Sequence, residues 1–342
     1  MTVQFGLDTF GDVTVDDQGQ PLSQAQVIRN VVEEGILADQ LGLDAFSVGE
    51  HHRPDFAVSA PDTVLAGLAT ATRSIKLGSA VVVLSSDDPI RVYERFATID
   101  ALSNGRAEPV LGRGSFIESF PLYGFDLADY ESLFEEKLEV FAELLKEQPV
   151  TWSGKYRTAL DAVDVFPKTE GGRMNAWVAV GGSPQSVVRA AHYGFGLQLA
   201  IIGGPAGQFK PFVDLYHRAL NEFGGDSTLP VAVHSPGHIA DTDELAAEQL
   251  FPHFKDNRDR IGQERGWGPV GRDEFENEIE HGALYVGSPE TVAAKIAATV
   301  KHLGVQRFDL KYANGPMPHS QLMRSIELYA TRVVPLVRDM LS

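Results

Sequence analysis

The sequence predicts a (β/α)8 barrel. Three observations carry the prediction. Short apolar segments alternate with longer segments of helical period along the whole chain, eight such strands can be counted, and no Pro/Gly/Ser-rich linker or change of composition divides the 342 residues. Two average domains would also fit this length, but α/β barrels commonly run this long as one unit, so residues 1–342 are read as a single domain. A doubly wound open sheet is the competing topology. Phe10-Gly11-Asp12, after the first strand, does not supply the G-x-G-x-x-G fingerprint usual in that fold.

The first unit pairs a strand over 3–10 with a helix over 23–41. In the second strand, 44–49, alternate side chains face opposite sides, so Phe46 and Val48 share one face and Ala45, Ser47 and Gly49 the other. The bulky pair should pack outward on helices. A helix over 61–72, a strand over 75–84, a helix over 89–102, a strand over 106–112 and a long amphipathic helix over 130–147 complete four units. Asp88 and Pro89 form a natural helix start, and Asn104-Gly105 a natural stop. Strands over 176–180, 196–202, 229–239 and 305–312 follow, with helices over 184–193, 205–223, 244–261 and 319–340. Residues 151–175 and 262–304 break the rhythm and read as insertions, the second with its own helix over 289–302.

Hydrophobic residues make up 43% and charged residues 22%, enough apolar surface for a large core. A net charge of -18 with no Lys/Arg stripe argues against nucleic acid and anionic membrane surfaces as partners. The absence of cysteine excludes disulfides, thiolate nucleophiles and Cys-ligated metals. The N-terminus has neither a basic nor an apolar leader pattern, and no apolar run reaches the ~18 residues of a membrane span. A cytoplasmic protein is expected.

The most informative segment is LGLDAFSVGEHHRPDF, residues 41–56. Extending the strand alternation puts His51 with the small residues that face the barrel axis, at the strand end where barrel enzymes carry catalytic groups. Glu50 and His52 take the opposite parity. A metal reading of Glu-His-His is weakened because adjacent strand residues diverge and neither H-x-H nor H-E-x-x-H occurs; no metal is expected. A structural, hydrogen-bonded histidine and a proton-handling one both remain open. Leu111-Gly112-Arg113-Gly114-Ser115 presents a guanidinium between two glycines, either to grip an anion or simply to turn the chain. Gly181-Gly182-Ser183-Pro184 opens a helix with exposed amides and a candidate N-cap, an anion seat or a tight β-α turn. Phe10, Phe56 and Phe116 are candidate apolar walls, with core packing as the alternative.

These blocks in this order, with LGSAVVVL and DDPIRVYERFATIDALSNGR between them, resemble the luciferase-like monooxygenase family from residue 3 to about 338. The resemblance implies reduced flavin mononucleotide (FMN) at the C-terminal face of a barrel, supplied by a separate flavin reductase, and a homodimer. It implies an oxidoreductase acting on paired donors with incorporation of O2, oxidising a small organic substrate through a flavin C4a-hydroperoxide. His51 matches the catalytic histidine. Ala80-Val81 matches a non-proline cis peptide beneath the isoalloxazine, Arg113 a phosphate-contacting arginine, and Gly181, Gly182 and Ser183 the phosphate-side loop. Luciferase itself has Glu-Ser where this chain has Gly181-Gly182, leaving backbone donors only, and a cysteine where this chain has Gly112. A deazaflavin-dependent hydride transfer, or a non-catalytic flavin-binding barrel, are the alternatives. The Gly- and charge-rich stretch from Phe251 through Gly282 is expected to be either a lid or an ordered excursion at the dimer.

Overall fold

The computed structural model describes residues 3–114 and 116–342; Met1, Thr2 and Ser115, the residue after the Gly112-Arg113-Gly114 motif, lie outside the described residues. The strands are, in chain order, β1 (Gln4–Thr9), β2 (Ala45–Val48), β3 (Lys76–Ser79) continued by β4 (Val82–Val83), and β5 (Ala107–Glu108) continued by β6 (Val110–Gly112). An antiparallel hairpin, β7 (Val150–Trp152) and β8 (Leu160–Val163), stands apart. The parallel series resumes with β9 (Trp177–Val180), β10 (Gly196–Ala200) and β11 (Val231–Ile239), which also pairs with the short β12 (Tyr285–Gly287), and ends in β13 (Arg307–Lys311). β13 returns to β1 with Gly6 opposite Asp309, and the third and fourth positions are joined twice, Leu77 to Ala107 and Val82 to Leu111. The sheet therefore closes into a (β/α)8 barrel.

Around it lie α1 (Gln24–Gln40), α2 (Pro61–Ala71), α3 (Pro89–Ser103), α4 (Ser119–Tyr123), α5 (Tyr130–Leu144), α6 (Pro184–His192), α7 (Lys210–Glu222), α8 (Asp243–Arg265), α9 (Arg272–Glu280), α10 (Pro289–Leu303), α11 (His319–Leu328) and α12 (Val334–Leu341). Their starts are written in the sequence. Ser23, Asp88, Ser183, Thr242 and Ser288 each accept a backbone N–H from the first turn of the helix that follows, a contact worth about 1 kcal/mol. Asn104 ends α3 in the left-handed region, φ 58°. None of the helices among the described residues is long and apolar enough to cross a membrane.

Strand alternation sorts the core as expected. Phe46 packs outward on α1, where a Cβ on Gly35 would come within 3.2 Å of its ring. Ser47 points inward, and a Cβ on Gly78 would meet its Oγ at 2.6 Å. The middle of the bore is ionic rather than aliphatic. Arg307 donates to Glu108 at 2.9 Å and to Asp309 at 2.8 Å, while Gln198 donates to the other Asp309 oxygen at 2.9 Å, all of them buried. Burial holds the Asp309 carboxyl above its usual range, and the adjacent Arg307 guanidinium offsets only part of that rise.

Three expectations need correcting. The strand expected over 75–84 is two pieces, interrupted by a cis peptide bond between Ala80 and Val81. The insertion over 151–175 carries the β7–β8 hairpin. The stretch from Phe251 to Gly282 is mostly helix: α8 runs through Gly262 to Arg265, and α9 follows after residues 266–271. Glycine inside a helix costs only about 1 kcal/mol, which packing under Trp267 can offset. The true stop is Gly266, at φ 72°.

Candidate active site

The C-terminal ends of the strands enclose a cavity of about 320 Å³. Phe10 follows β1, Glu50 to His52 follow β2, Ala80 and Val81 lie between β3 and β4, Gly112 to Gly114 end β6, Gly181 follows β9, and Gln198 and Ala200 belong to β10. Of the residues singled out in the sequence, His51, Ala80, Val81, Arg113 and Gly181 line this one space; Gly182 and Ser183 do not. Ser183 instead uses its oxygen to cap α6 at Ser186, 3.4 Å away.

His51 sits in an aromatic cage, with ring centroids at 4.3 Å from Phe56, 4.6 Å from Phe10 and 5.2 Å from Phe116. Its Nδ1 meets the Glu50 carbonyl, which can only accept, so Nδ1 carries the proton and Nε2 keeps its lone pair. That Nε2 is buried and has no hydrogen-bond partner among the described residues. Burial in the apolar cage pushes the ring down to about 4, with the charge of Lys311 adding to the effect, so it is neutral at neutral pH.

Glu50 and His52 also line the cavity, contrary to their expected parity. β2 ends at Val48, so alternation cannot be extrapolated beyond it. Glu50 accepts the Val83 N–H at 2.9 Å and meets His52 Nε2 at 2.9 Å, tying the end of β2 to that of β4.

Close packing explains the glycines beside Arg113. A Cβ on Gly112 would meet Val81 at 2.6 Å, and one on Gly114, at φ 79°, would meet Val83 at 2.9 Å. The Arg113 guanidinium lies 5.3 Å from the centre of the Tyr130 ring and is ion-paired with Glu131. The Tyr130 hydroxyl donates to the Gly114 carbonyl at 2.7 Å, fixing the turn.

Sequence reasoning missed a second histidine. His234, in β11, lines the cavity, and its Nδ1 lies 2.7 Å from the buried Asp8 carboxylate. The Phe10 ring stacks at 5.9 Å on His234, contacts His51, and has the Lys311 ammonium 4.6 Å from its centre. Lys311 in turn is held by the Ala313 carbonyl and by Asp12 at 3.3 Å. The available signal was parity: Asp8, His234 and Lys311 all fall on the inward face of their strands. Among the described residues no three His, Asp or Glu side chains converge as a metal site would require.

The rim is closed on one side by charge. Arg53 donates to Glu264 of α8 at 2.5 and 2.8 Å and to Asp55 at 3.2 Å, and pairs with Glu118. Arg260 of α8 reaches Asp55 at 3.0 Å.

The profile described as luciferase-like monooxygenase matches residues 9–307. The chain belongs to this family, and with it to the oxidoreductases. Among curated relatives it is similar to the alkanal monooxygenase alpha chain of Photorhabdus luminescens, 23% identical over 370 residues, covering 96% of this chain and 98% of that one. A match of higher identity, 34% to the uncharacterized protein y4vJ of Sinorhizobium fredii, extends over 140 residues, 41% of this chain and 40% of that one. Among solved structures, the monooxygenase RslO1 of Streptomyces bottropensis superposes with a TM-score of 0.84 at 23% identity, covering 97% and 99% of the two chains. The oxygenating constituent of 3,6-diketocamphane monooxygenase from Pseudomonas putida, solved with FMN, gives 0.77 at 20% identity over 98% and 99%. An F420-dependent secondary alcohol dehydrogenase also gives 0.77, at 19% identity over 99% and 100%. These likenesses are of fold.

Proposed function

We propose that this chain is a flavin-dependent monooxygenase that takes reduced FMN from a separate flavin reductase and uses O2 to oxidise a small organic substrate. The observation that carries the reading is the orphaned Nε2 of His51, buried in an aromatic cage at the catalytic end of the barrel. The residues present fit a flavin. A cavity of about 320 Å³ with apolar walls and a few convergent polar groups suits a planar ring, and its size falls at the lower end of the usual range for ligand sites. When bound, the reduced ring supplies the electrons that activate O2 for transfer of one oxygen atom to substrate.

The protein's own part is positional and protonic. Ala80, Val81, Gly112 and Ala179 offer a low, apolar bed that would hold the ring. Phe10 and Phe116 exclude water, which limits wasteful release of reduced oxygen. His51 Nε2 accepts and returns a proton as its neutral ring demands, and His234, held by Asp8, presents a second imidazole on the other side of Phe10. Arg113 and the backbone at Gly181 would take the phosphate, with Gly182 and Ser183 just outside the cavity. A homodimer is part of this reading.

A deazaflavin reading draws support from the F420-dependent neighbour in fold. The test is to titrate the purified protein with FMN and with F420 in both redox states, then follow O2 uptake. Binding of reduced FMN, with its reoxidation rate altered from that of free FMN, is expected. Reoxidation at the free rate, with tight binding of reduced F420 instead, would reject the monooxygenase reading.

A further inference from the structure

We infer that Glu131 is a built-in competitor for the anionic end of the cofactor, and that it sets how tightly the site holds a phosphate. The inference rests on the flavin reading above. Arg113 is the guanidinium that lines the cavity mouth, and it is already ion-paired with Glu131, in the first turn of α5. The other Glu131 oxygen lies 3.6 Å from Arg189 of α6, and Arg189 is itself paired with Glu135. Two guanidiniums thus face two carboxylates, and the local charge is balanced before any ligand arrives.

The two partners of the central pair differ in freedom. Arg113 is only 26% exposed, stands over Tyr130 and leaves a turn fixed by the Tyr130 hydroxyl. Glu131 is 60% exposed and can swing into water. An incoming phosphate therefore takes the Glu131 carboxylate's place on a stationary arginine. Every FMN that binds must break the Arg113–Glu131 pair and then bear the repulsion of the displaced carboxylate, whereas riboflavin, lacking the phosphate, does neither. The consequence is a deliberately loose grip on FMN, which suits a cofactor that arrives reduced from another protein and must be handed back oxidised.

Fluorescence titration with FMN and with riboflavin separates the possibilities, using the unmodified chain, Glu131→Gln, Glu131→Ala and each combined with Arg113→Ala. Glu131→Gln should tighten FMN by about ten-fold and riboflavin by less than about two-fold, and the gain should vanish when Arg113 is also removed. Glu131→Ala should behave alike, so the result does not hang on one variant. An equal change for both flavins, or a gain that survives loss of Arg113, would overturn the inference while leaving the flavin reading intact. If the unmodified chain binds neither flavin, the flavin reading falls and this inference falls with it.

Discussion

His51 and His234 share one aromatic neighbour, Phe10, but are held differently: a backbone carbonyl fixes one ring and a buried carboxylate the other. Replacing His51 by Ala should leave flavin affinity within a few fold and lower turnover by roughly 10²- to 10⁴-fold, the usual range for a positioned proton acceptor. Parallel titrations and O2-uptake assays check this, and a matching collapse of flavin binding would make His51 a wall instead. At His234 the informative change is Asp8→Asn. An amide N–H turned toward Nδ1 forces the ring proton to Nε2, so the ¹⁵N shifts of His234 should report the switched tautomer while the fold is retained. An unchanged tautomer would mean that Asp8 does not orient the ring. His51 could be read from the sequence because the Glu-His-His block follows a strand end where barrel sites form, not through strand parity, which lapses after Val48. The Asp8–His234 pair could not, because its members lie 226 residues apart and meet only when the barrel closes.

At the level of elements, α8 lies close to the helix expected over 244–261, and the departure comes beyond it, where α9 occupies part of the expected insertion. Four glycines around Trp267 allow either a lid or an ordered excursion; Gly262 lies within the helix, and residues 266–271 are the irregular link between α8 and α9. Trp267 is packed between Arg258 at 4.1 Å and Arg265 at 5.2 Å, contacts that composition does not reveal. The end of α8 is fastened to the site through Arg53 and Glu264. Glu264→Ala should therefore speed hydrogen exchange at residues 262–271 several-fold with little change in the barrel strands, since it releases one end of an otherwise intact helix. Exchange that is unaltered there would show the clamp to be idle. The capped helices were the legible part: Asp88 and Ser183 mark their starts with local chemistry, whereas the β7–β8 hairpin depends on pairing between segments too short to announce themselves.

Over the whole molecule, two buried histidines make stability depend on pH on the acid side of neutrality. Burial pushes both His51 and His238 from 6.5 to about 4. In the unfolded chain each takes up its proton near pH 6.5, but in the folded protein not until about pH 4, so the unfolded state binds more protons across that window. Stability should fall as pH drops from 6.5 to 4, by up to about 3 kcal/mol for each ring. His319 runs the other way, raised by hydrogen bonding to Glu34, and its contribution is lost as pH rises through its folded value. Denaturant unfolding at pH 7 and pH 5 measures the balance, and His238→Gln should flatten the dependence; an identical slope would remove His238 from it. The β-α rhythm made the barrel legible, but the ionic layer inside it was not, since Glu108, Arg307 and Asp309 look like surface charges until the strands close around them. That layer has a kinetic consequence. It divides the upper cavity from a separate cleft of about 540 Å³ at the opposite end, lined by Lys76 and Glu108, and so turns the barrel into a well with a sealed floor. Whatever occupies the floor must enter before its co-reactant and depart after it. Traffic in such a well is last in, first out, so a flavin at the bottom would outlast the release of product above it in each turnover and would leave for re-reduction only once the well has emptied.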